Sequence, residues 1–215
     1  MTGSDREERE QLLAWFDEVY SWAGQNPDNV PWSRSGPHPG LRHWASGTSE
    51  HAGSAVDIGC GLGDNAEFLT ALGYEVTAFD LSPNAIDWAQ RRFPQSRVSY
   101  RTADLFALPE NWSGAFGLVS EVYTLQALPG DLRRQAVRAL TELVAPGGSI
   151  VVVCIGRDEH EATDGPPWRL AKSELAGFEA AGLTEASFDD VVLGENDRRH
   201  FVAVYERSGD LKPVL

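Results

Sequence analysis

Apolar positions near the start of the chain recur at helical intervals. Leu12, Phe16, Val19 and Ala23 share one face, with Trp15 and Trp22 alongside. Ser4 with Glu7 reads as a capping box opening this helix, and Gly24 is placed to end it. The next stretch, GQNPDNVPWSRSGPHPG (24 to 40), is dense in Pro, Gly, Ser and Asn and predicts an irregular loop. A short helix is predicted around Leu41 to Ala45. From Ser54 onward the pattern alternates between short apolar runs and helical spacing. Strands are predicted at Ala55–Ile58, Tyr74–Phe79, Val98–Ala103, Phe116–Ser120 and Ser149–Ile155. Helices are predicted at Asn65–Leu72, closed by Gly73; from a Ser82-Pro83 start through Ile86, Ala89 and Phe93; and over Leu132, Ala136, Leu140 and Leu143. Leu175, Phe178 and Ala181 mark one more helix, with Ser173 as its cap.

Two last strands are predicted near Ala186–Leu193 and His200–Arg207. The turn between them, Gly194-Glu195-Asn196-Asp197, is too short for a parallel crossover and so predicts an antiparallel hairpin. Five strand–helix units followed by a hairpin give an α/β fold: a doubly wound, mostly parallel sheet of about seven strands with a C-terminal antiparallel hairpin. The chain divides into an N-terminal helical arm over 1–50 and the sheet domain over 51–215.

Composition narrows the partners. The 215 residues are 42% hydrophobic and 23% charged, with a formal net charge of -14. That charge argues against a phosphate backbone or an anionic membrane surface, so no nucleic acid and no membrane are expected. It favours a compact, neutral or cationic small molecule. The acidic, polar N-terminus lacks a signal peptide's apolar core, and the longest apolar run, Ile150 to Ile155, cannot span a bilayer. Two cysteines without a disulfide framework fit a cytoplasmic protein, either monomer or homodimer.

The strongest chemical signal is AVDIGCGLGDN, residues 55 to 65. It leaves a strand, turns on glycines and enters a helix, whose first N–H groups are unpaired. Gly61-Leu62-Gly63-Asp64-Asn65-Ala66 satisfies the dinucleotide fingerprint G-x-G-x-x-A, and Asp80 follows Gly61 at the distance of a ribose-binding acid. A nicotinamide-dependent oxidoreductase is therefore one reading. Against it stand three acids: Asp57 before the first glycine, Asp64 where a pyrophosphate would lie, and Asp104 after the third strand. A phosphate-free cationic nucleoside, S-adenosylmethionine, suits the acids better.

Residues 55 to 155 resemble class I S-adenosylmethionine-dependent methyltransferases, whose fold is Rossmann-like. The family's acid-apolar-G-x-G-x-G motif is matched by Asp57-Ile58-Gly59-Cys60-Gly61-Leu62-Gly63, its ribose acid by Asp80 in AFDLS, and its adenine-side pair by Asp104-Leu105. Its strand-four motif corresponds to FGLVSEVYTL with Glu121, and its turn before strand five to Leu143–Gly148. Gly117 and Glu121 stand where the family often has Asp or Asn. The resemblance implies S-adenosylmethionine as cofactor, S-adenosylhomocysteine as product, and cofactor contacts from Asp57, Gly59, Cys60, Gly61, Gly63, Asp80, Leu81, Ala103, Asp104, Leu105 and Glu121. In the arm, Trp15, Tyr20, Pro31-Trp32 and Pro37-His38-Pro39 are similar to the entry segment of the thiopurine and thiol methyltransferase group. That implies an arm folded over the cofactor, Trp32 near its methionine end, and a small-molecule acceptor, with a thiol as one option. A non-catalytic cofactor-binding module would share the same loop and is the further alternative.

The remaining candidates are weaker. Cys60 and Cys154 read as packing residues, not nucleophiles. The histidines show no metal-ligand spacing, so no metal is expected. His38 and His160 are candidate general bases, and Tyr123, following strand four, is the expected acceptor-facing residue; Tyr123 and His38 are thus the catalytic candidates. Trp15, Trp22 and Trp88 are expected in helix packing. Trp32, Trp44 and Trp168 could build an aromatic wall beside a sulfonium, and Arg157 to Trp168 could shape the acceptor pocket.

Overall fold

The structure is a computed structural model that describes residues 3–34, 36–47, 51–194 and 197–209. The side chains of residues 3–10, 12 and 13 lie outside that description, and with them the Ser4–Glu7 capping box. The first helix, α1, is Gly3–Trp22 and the second, α2, is Pro39–Ser46. Then follow β1 (Ser54–Ile58), α3 (Asp64–Leu72), β2 (Glu75–Asp80), α4 (Pro83–Arg92), β3 (Ser99–Thr102), β4 (Phe116–Val122), α5 (Gly130–Leu143), β5 (Val144–Ile155), α6 (Gly177–Ala180), β6 (Thr184–Leu193) and β7 (Arg198–Glu206).

The seven strands form one sheet in the order β3-β2-β1-β4-β5-β7-β6. Strands β1 to β5 run parallel, and β7 joins both β5 and β6 antiparallel. The order reverses between β1 and β4, and a doubly wound sheet opens its ligand crevice at the carboxyl ends of the strands at such a point.

The near-continuous apolar runs of the central strands follow from burial on both faces. Along β5 the side chains alternate: Val151 and Val153 pack with Ala55, Ala66, Leu69, Ile86 and Ala89, beneath α3 and α4. Ile150, Val152 and Cys154 pack on the other face with Ala136, Val137 and Leu140 of α5. Each such aliphatic side chain, fully withdrawn from water, contributes about 1.5–3 kcal/mol.

Three sequence expectations are corrected. No α-helix joins β3 to β4; the link is a loop with a 3-10 turn at Glu110–Trp112. Pro109 and Gly114 flank that turn and leave no room for a periodic helix. The helix expected after Ser173 is a 3-10 turn over Lys172–Leu175, followed by the one-turn α6. Ala171 occupies its N-cap position, and Glu174 accepts the Ala171 N–H at 2.9 Å, so Ser173 is not the cap. Finally, Trp88 is buried in helix packing, but Trp22 is 73% exposed. The buried face of the α1 end is carried by Tyr20 and Ala23, which pack with Val30, Leu62, Ala85 and Trp88.

Candidate functional site

The glycine loop has the conformation its composition demands. Gly59 (φ +57°) and Gly61 (φ +51°) both lie in the left-handed region. A side chain on Gly61 would meet the Tyr20 hydroxyl at 2.9 Å, and one on Gly59 would meet Thr124 Oγ1 at 2.7 Å. The loop is thus an unobstructed backbone surface at the carboxyl end of β1. Gly63 is the N-cap of α3 and turns toward the Tyr100 ring.

The arm closes over this surface and is anchored at both ends. Asp17 on α1 accepts from Ser82 Oγ (2.5 Å) and Asn84 Nδ2 (3.0 Å) at the first turn of α4, where a carboxylate also favours the helix dipole. Further on, the backbone N–H of Gly36 donates to Asp64 Oδ1 and that of His38 to Asn65 Oδ1 at the first turn of α3. Between these anchors Trp15, Phe16, Tyr20 and Trp32 form an aromatic cluster with ring centroids 5.1–5.9 Å apart. Trp32 Nε1 donates to the Tyr20 hydroxyl at 2.7 Å.

Arm and sheet enclose a cleft of about 580 Å³, a volume suited to a small organic ligand. Of the sequence-derived cofactor residues, Trp32, Gly59, Cys60, Gly61, Asp80, Leu81, Ala103, Asp104 and Leu105 line it together. Tyr123 and His38 line it as well, as do Pro166 and Pro167 from the loop after β5. Asp57, Gly63 and Glu121 lie behind the lining. His160 is exposed on a turn away from the cleft, and Trp44 and Trp168 are not part of its wall.

Asp80 ends β2 with its carboxylate buried. Oδ2 accepts from the Gly61 N–H and Oδ1 from the Ser82 N–H, both at 2.9 Å. Burial raises its pKa, and the two backbone donors oppose that rise. Each oxygen keeps a lone pair for a ligand hydroxyl. Behind the loop, Asp57 accepts from Ser120 Oγ at 2.9 Å, while its other oxygen is buried without a partner. Desolvation pushes its pKa up to about 7. Glu121 is equally deep; Oε1 accepts from the Leu125 N–H, Oε2 is unpartnered, and burial lifts its pKa to about 7.

Two charge arguments from the sequence need correction. Asp64 does not present a bare charge to the loop, because Arg92 clamps it with contacts of 2.6 and 3.0 Å. The far end of the cleft is locally cationic despite the net charge of -14, since Arg34 and Arg198 line it. Among the described residues neither guanidinium has a carboxylate partner.

That end also gathers side chains distant in sequence. Tyr123 follows β4 with φ +72°, a conformation that costs a bulky residue about 1–3 kcal/mol. Its hydroxyl lies 2.6 Å from Nε2 of His200 on β7, and His200 Nδ1 lies 2.6 Å from the Arg198 carbonyl. Since a carbonyl only accepts, Nδ1 carries the proton and Nε2 accepts from Tyr123. His38 packs edge-on against Tyr123 at 4.6 Å. His38 Nδ1 accepts from the Gly40 N–H at 3.0 Å, so its proton sits on Nε2, which is buried without a partner. Desolvation, His200 and the arginines lower the His38 pKa to about 3. His38 is therefore a neutral donor here, with no lone pair left to act as a base. Sequence reading missed Arg34, Arg198 and His200; the β5–β7 pairing of Ile155 with His200 brings the two β7 residues to the cleft end, and the arm brings Arg34.

Among the described residues, no helix is long and apolar enough to cross a membrane and no cluster is arranged to hold a metal ion.

Comparison with known proteins agrees with this architecture. Residues 55–148 match the family described as a methyltransferase domain. The chain is 30% identical over 136 residues to a ubiquinone biosynthesis O-methyltransferase of Xanthomonas axonopodis pv. citri, covering 59% of this chain and 56% of that protein. The chain thus spans little more than half the length of that curated relative. Among solved structures, a protein described under conversion of a disulfide bond into a thioacetal group during echinomycin biosynthesis shares the fold with TM-score 0.73 at 24% identity, over 94% of this chain and 93% of its own. The N-methyltransferase NodS of Bradyrhizobium japonicum WM9, in complex with S-adenosylhomocysteine, shares it with TM-score 0.68 at 20% identity, over 91% and 98%. Domain match, strand order and glycine loop together make residues 55–148 similar to the methyltransferase domain of class I S-adenosylmethionine-dependent methyltransferases.

Proposed function

We propose that this protein transfers a methyl group from S-adenosylmethionine to a small-molecule nucleophile bound beneath the N-terminal arm. The observation that carries this is the joining of two unlike half-sites in one cleft: an acid-ended glycine loop, and a cationic, hydrogen-bonding end built around Tyr123. When bound, the cofactor supplies an electrophilic methyl carbon on a sulfonium that leaves as a neutral thioether.

The chain's residues fit that group. Gly59 and Gly61 offer bare backbone, Asp80 keeps lone pairs for the ribose hydroxyls, and Asp104, Leu81, Ala103 and Leu105 frame the adenine side. Trp32 and Tyr20 line the cleft, and an aromatic face favours a cation by about 0.5–2 kcal/mol. A pyrophosphate would find Asp80 at the loop and no free cation there, since Arg92 is spent on Asp64. That disfavours the oxidoreductase reading. The protein's chemical contribution is to hold both reactants in line and exclude water, an effect worth up to about 7–11 kcal/mol. The relatives disagree on the atom methylated, one being an O- and another an N-methyltransferase, and the thiol option rests on the arm's sequence pattern alone.

The test is calorimetric titration with S-adenosylhomocysteine. The wild-type protein is expected to bind, and Asp80→Ala to bind at least tenfold more weakly with an unchanged far-ultraviolet circular dichroism spectrum. Equal affinity in both proteins would remove the assignment of Asp80. Binding that persists while a panel of phenols, amines and thiols stays unmethylated would favour the non-catalytic module.

A further inference from the structure

We propose that Tyr123 and His200 form a proton relay that selects a hydroxyl of phenol-like acidity as the methyl acceptor, with Tyr123 Oη taking the acceptor's proton as its own proton passes to His200 Nε2. The inference rests on the methyl-transfer reading and adds the acceptor class to it.

Four observations converge on it. First, the Tyr123–His200 contact is short, 2.6 Å, and its direction is fixed. The Arg198 carbonyl holds the His200 proton on Nδ1 at 2.6 Å, leaving Nε2 as the acceptor. Second, Tyr123 holds this position with φ +72° just after β4, a backbone strain of the kind that functional sites characteristically store. Third, the buried Nε2–H of His38, beside Tyr123, has no partner within the protein. An unpaired buried donor costs about 1–3 kcal/mol, and an acceptor oxygen in the cleft would satisfy it. Fourth, the charged groups facing the pair are the guanidiniums of Arg34 from the arm and Arg198 from β7, with Arg42 of α2 next to His38. The Cys154 thiol lies behind, and no carboxylate faces the pair among the described residues. Two cations and a neutral donor stabilise an oxyanion.

The chemistry then favours one class. A thiol ionises near pH 8.5 unaided, whereas a phenol, like tyrosine itself, ionises near pH 10. A phenol exchanges its proton with Tyr123, a group of the same chemical kind, while His200 gains the proton that Tyr123 gives up. Charge and protons balance: a neutral hydroxyl and a neutral imidazole become an oxyanion and an imidazolium, and the freed lone pair is the one that bonds to the methyl carbon. His200 does not line the cleft, so it acts through Tyr123 as a positioning residue.

The test uses 4-nitrophenol, whose ionisation is visible by absorbance, with the S-adenosylhomocysteine-loaded protein one pH unit below the free probe's pKa. Binding is expected to raise the nitrophenolate band and to lower the probe's apparent pKa by one unit or more. Tyr123→Phe and His200→Gln are each expected to reduce that shift at least tenfold in the ionisation equilibrium, with unchanged affinity for S-adenosylhomocysteine. In turnover, the same variants are expected to slow methylation of a phenol at least a hundredfold, to move the acid limb of its pH profile, and to slow a thiol at least tenfold less than the phenol. No probe binding, binding as the neutral phenol, ionisation insensitive to both variants, or equal loss for thiol and phenol would each overturn the relay. Failure of the wild-type protein to bind S-adenosylhomocysteine is a separate result, and it would bring down the methyl-transfer reading instead.

Discussion

At the scale of single residues, the deepest acids govern how stability depends on pH. Asp57 is buried behind the glycine loop, with one oxygen on Ser120 and the other unpartnered, and its pKa is pushed up to about 7. An acid with a raised folded-state pKa binds its proton more tightly when folded. Stability therefore falls as pH rises from near 4, where the unfolded chain ionises, to near 7, and the full penalty stands above that. Asp57→Asn removes the charge and keeps an oxygen for Ser120. It is expected to be more stable than the wild type by up to about 4 kcal/mol at pH 8, with the gap closing toward pH 4. Urea melts at several pH values check this, and a gap constant with pH would refute it. Glu121 shares the environment, so the variant retains part of the slope. The acids and glycines of this half-site were legible because they sit in one contiguous motif at fixed spacing. Arg34, Tyr123, Arg198 and His200 were not legible as a group, since only folding brings the arm, β4 and β7 together.

At the scale of elements, strand and helix positions followed from apolar periodicity, and the departures have local causes. The run after β5 breaks at Ala176, which lies between the 3-10 turn and α6, and α6 opens on Gly177, a weak helix former. β5 starts at Val144, ahead of the predicted Ser149, because Val144 pairs with Phe116 across a register shift and carries the strand through Pro146-Gly147-Gly148. The loop after β4 is held by its own 3-10 turn, by Glu121 and Gln126, and by a side chain of α5. Arg133 is buried; its Nε donates to the Leu125 carbonyl and one NH2 group to the Leu128 carbonyl at 3.0 and 2.9 Å, and the other meets Glu174. Those bonds fix the segment that presents Gln126, Ala127 and Leu128 to the cleft. Arg133→Met leaves the Leu128 carbonyl without its donor and the Leu125 carbonyl with the Leu128 N–H alone, while Glu174 keeps its contact with Arg157 at 2.7 Å. The expected loss is about 2–3 kcal/mol, or a fall in Tm of roughly 5–10 °C for a chain of this size. Differential scanning calorimetry decides; a variant melting within one degree of the wild type would show that the loop holds itself.

At the scale of the whole molecule, the cleft lies between two parts of unequal stability. The sheet is covered on both faces by continuous apolar clusters. In the arm, α2 packs on the sheet through Leu41, whereas α1 rests on a small cluster around Tyr20, Ala23 and Trp88 and on Asp17. Exposed Trp15 and Trp22 add little burial. Elements with few buried apolar contacts open at lower free energy than the core, so the amides of α1 are expected to exchange through local opening and those of β4 and β5 only through global unfolding. A ligand held by both parts binds the closed form alone. At one hundred times its dissociation constant it adds about 2.7 kcal/mol. Saturating S-adenosylhomocysteine should therefore slow exchange across the second half of α1 about a hundredfold through local closure. The same free energy should raise Tm by roughly 5–11 °C. Hydrogen exchange read by mass spectrometry separates the possibilities: protection confined to the glycine loop, with α1 unchanged, would mean that the arm does not close on the cofactor and that the acceptor end assembles without it.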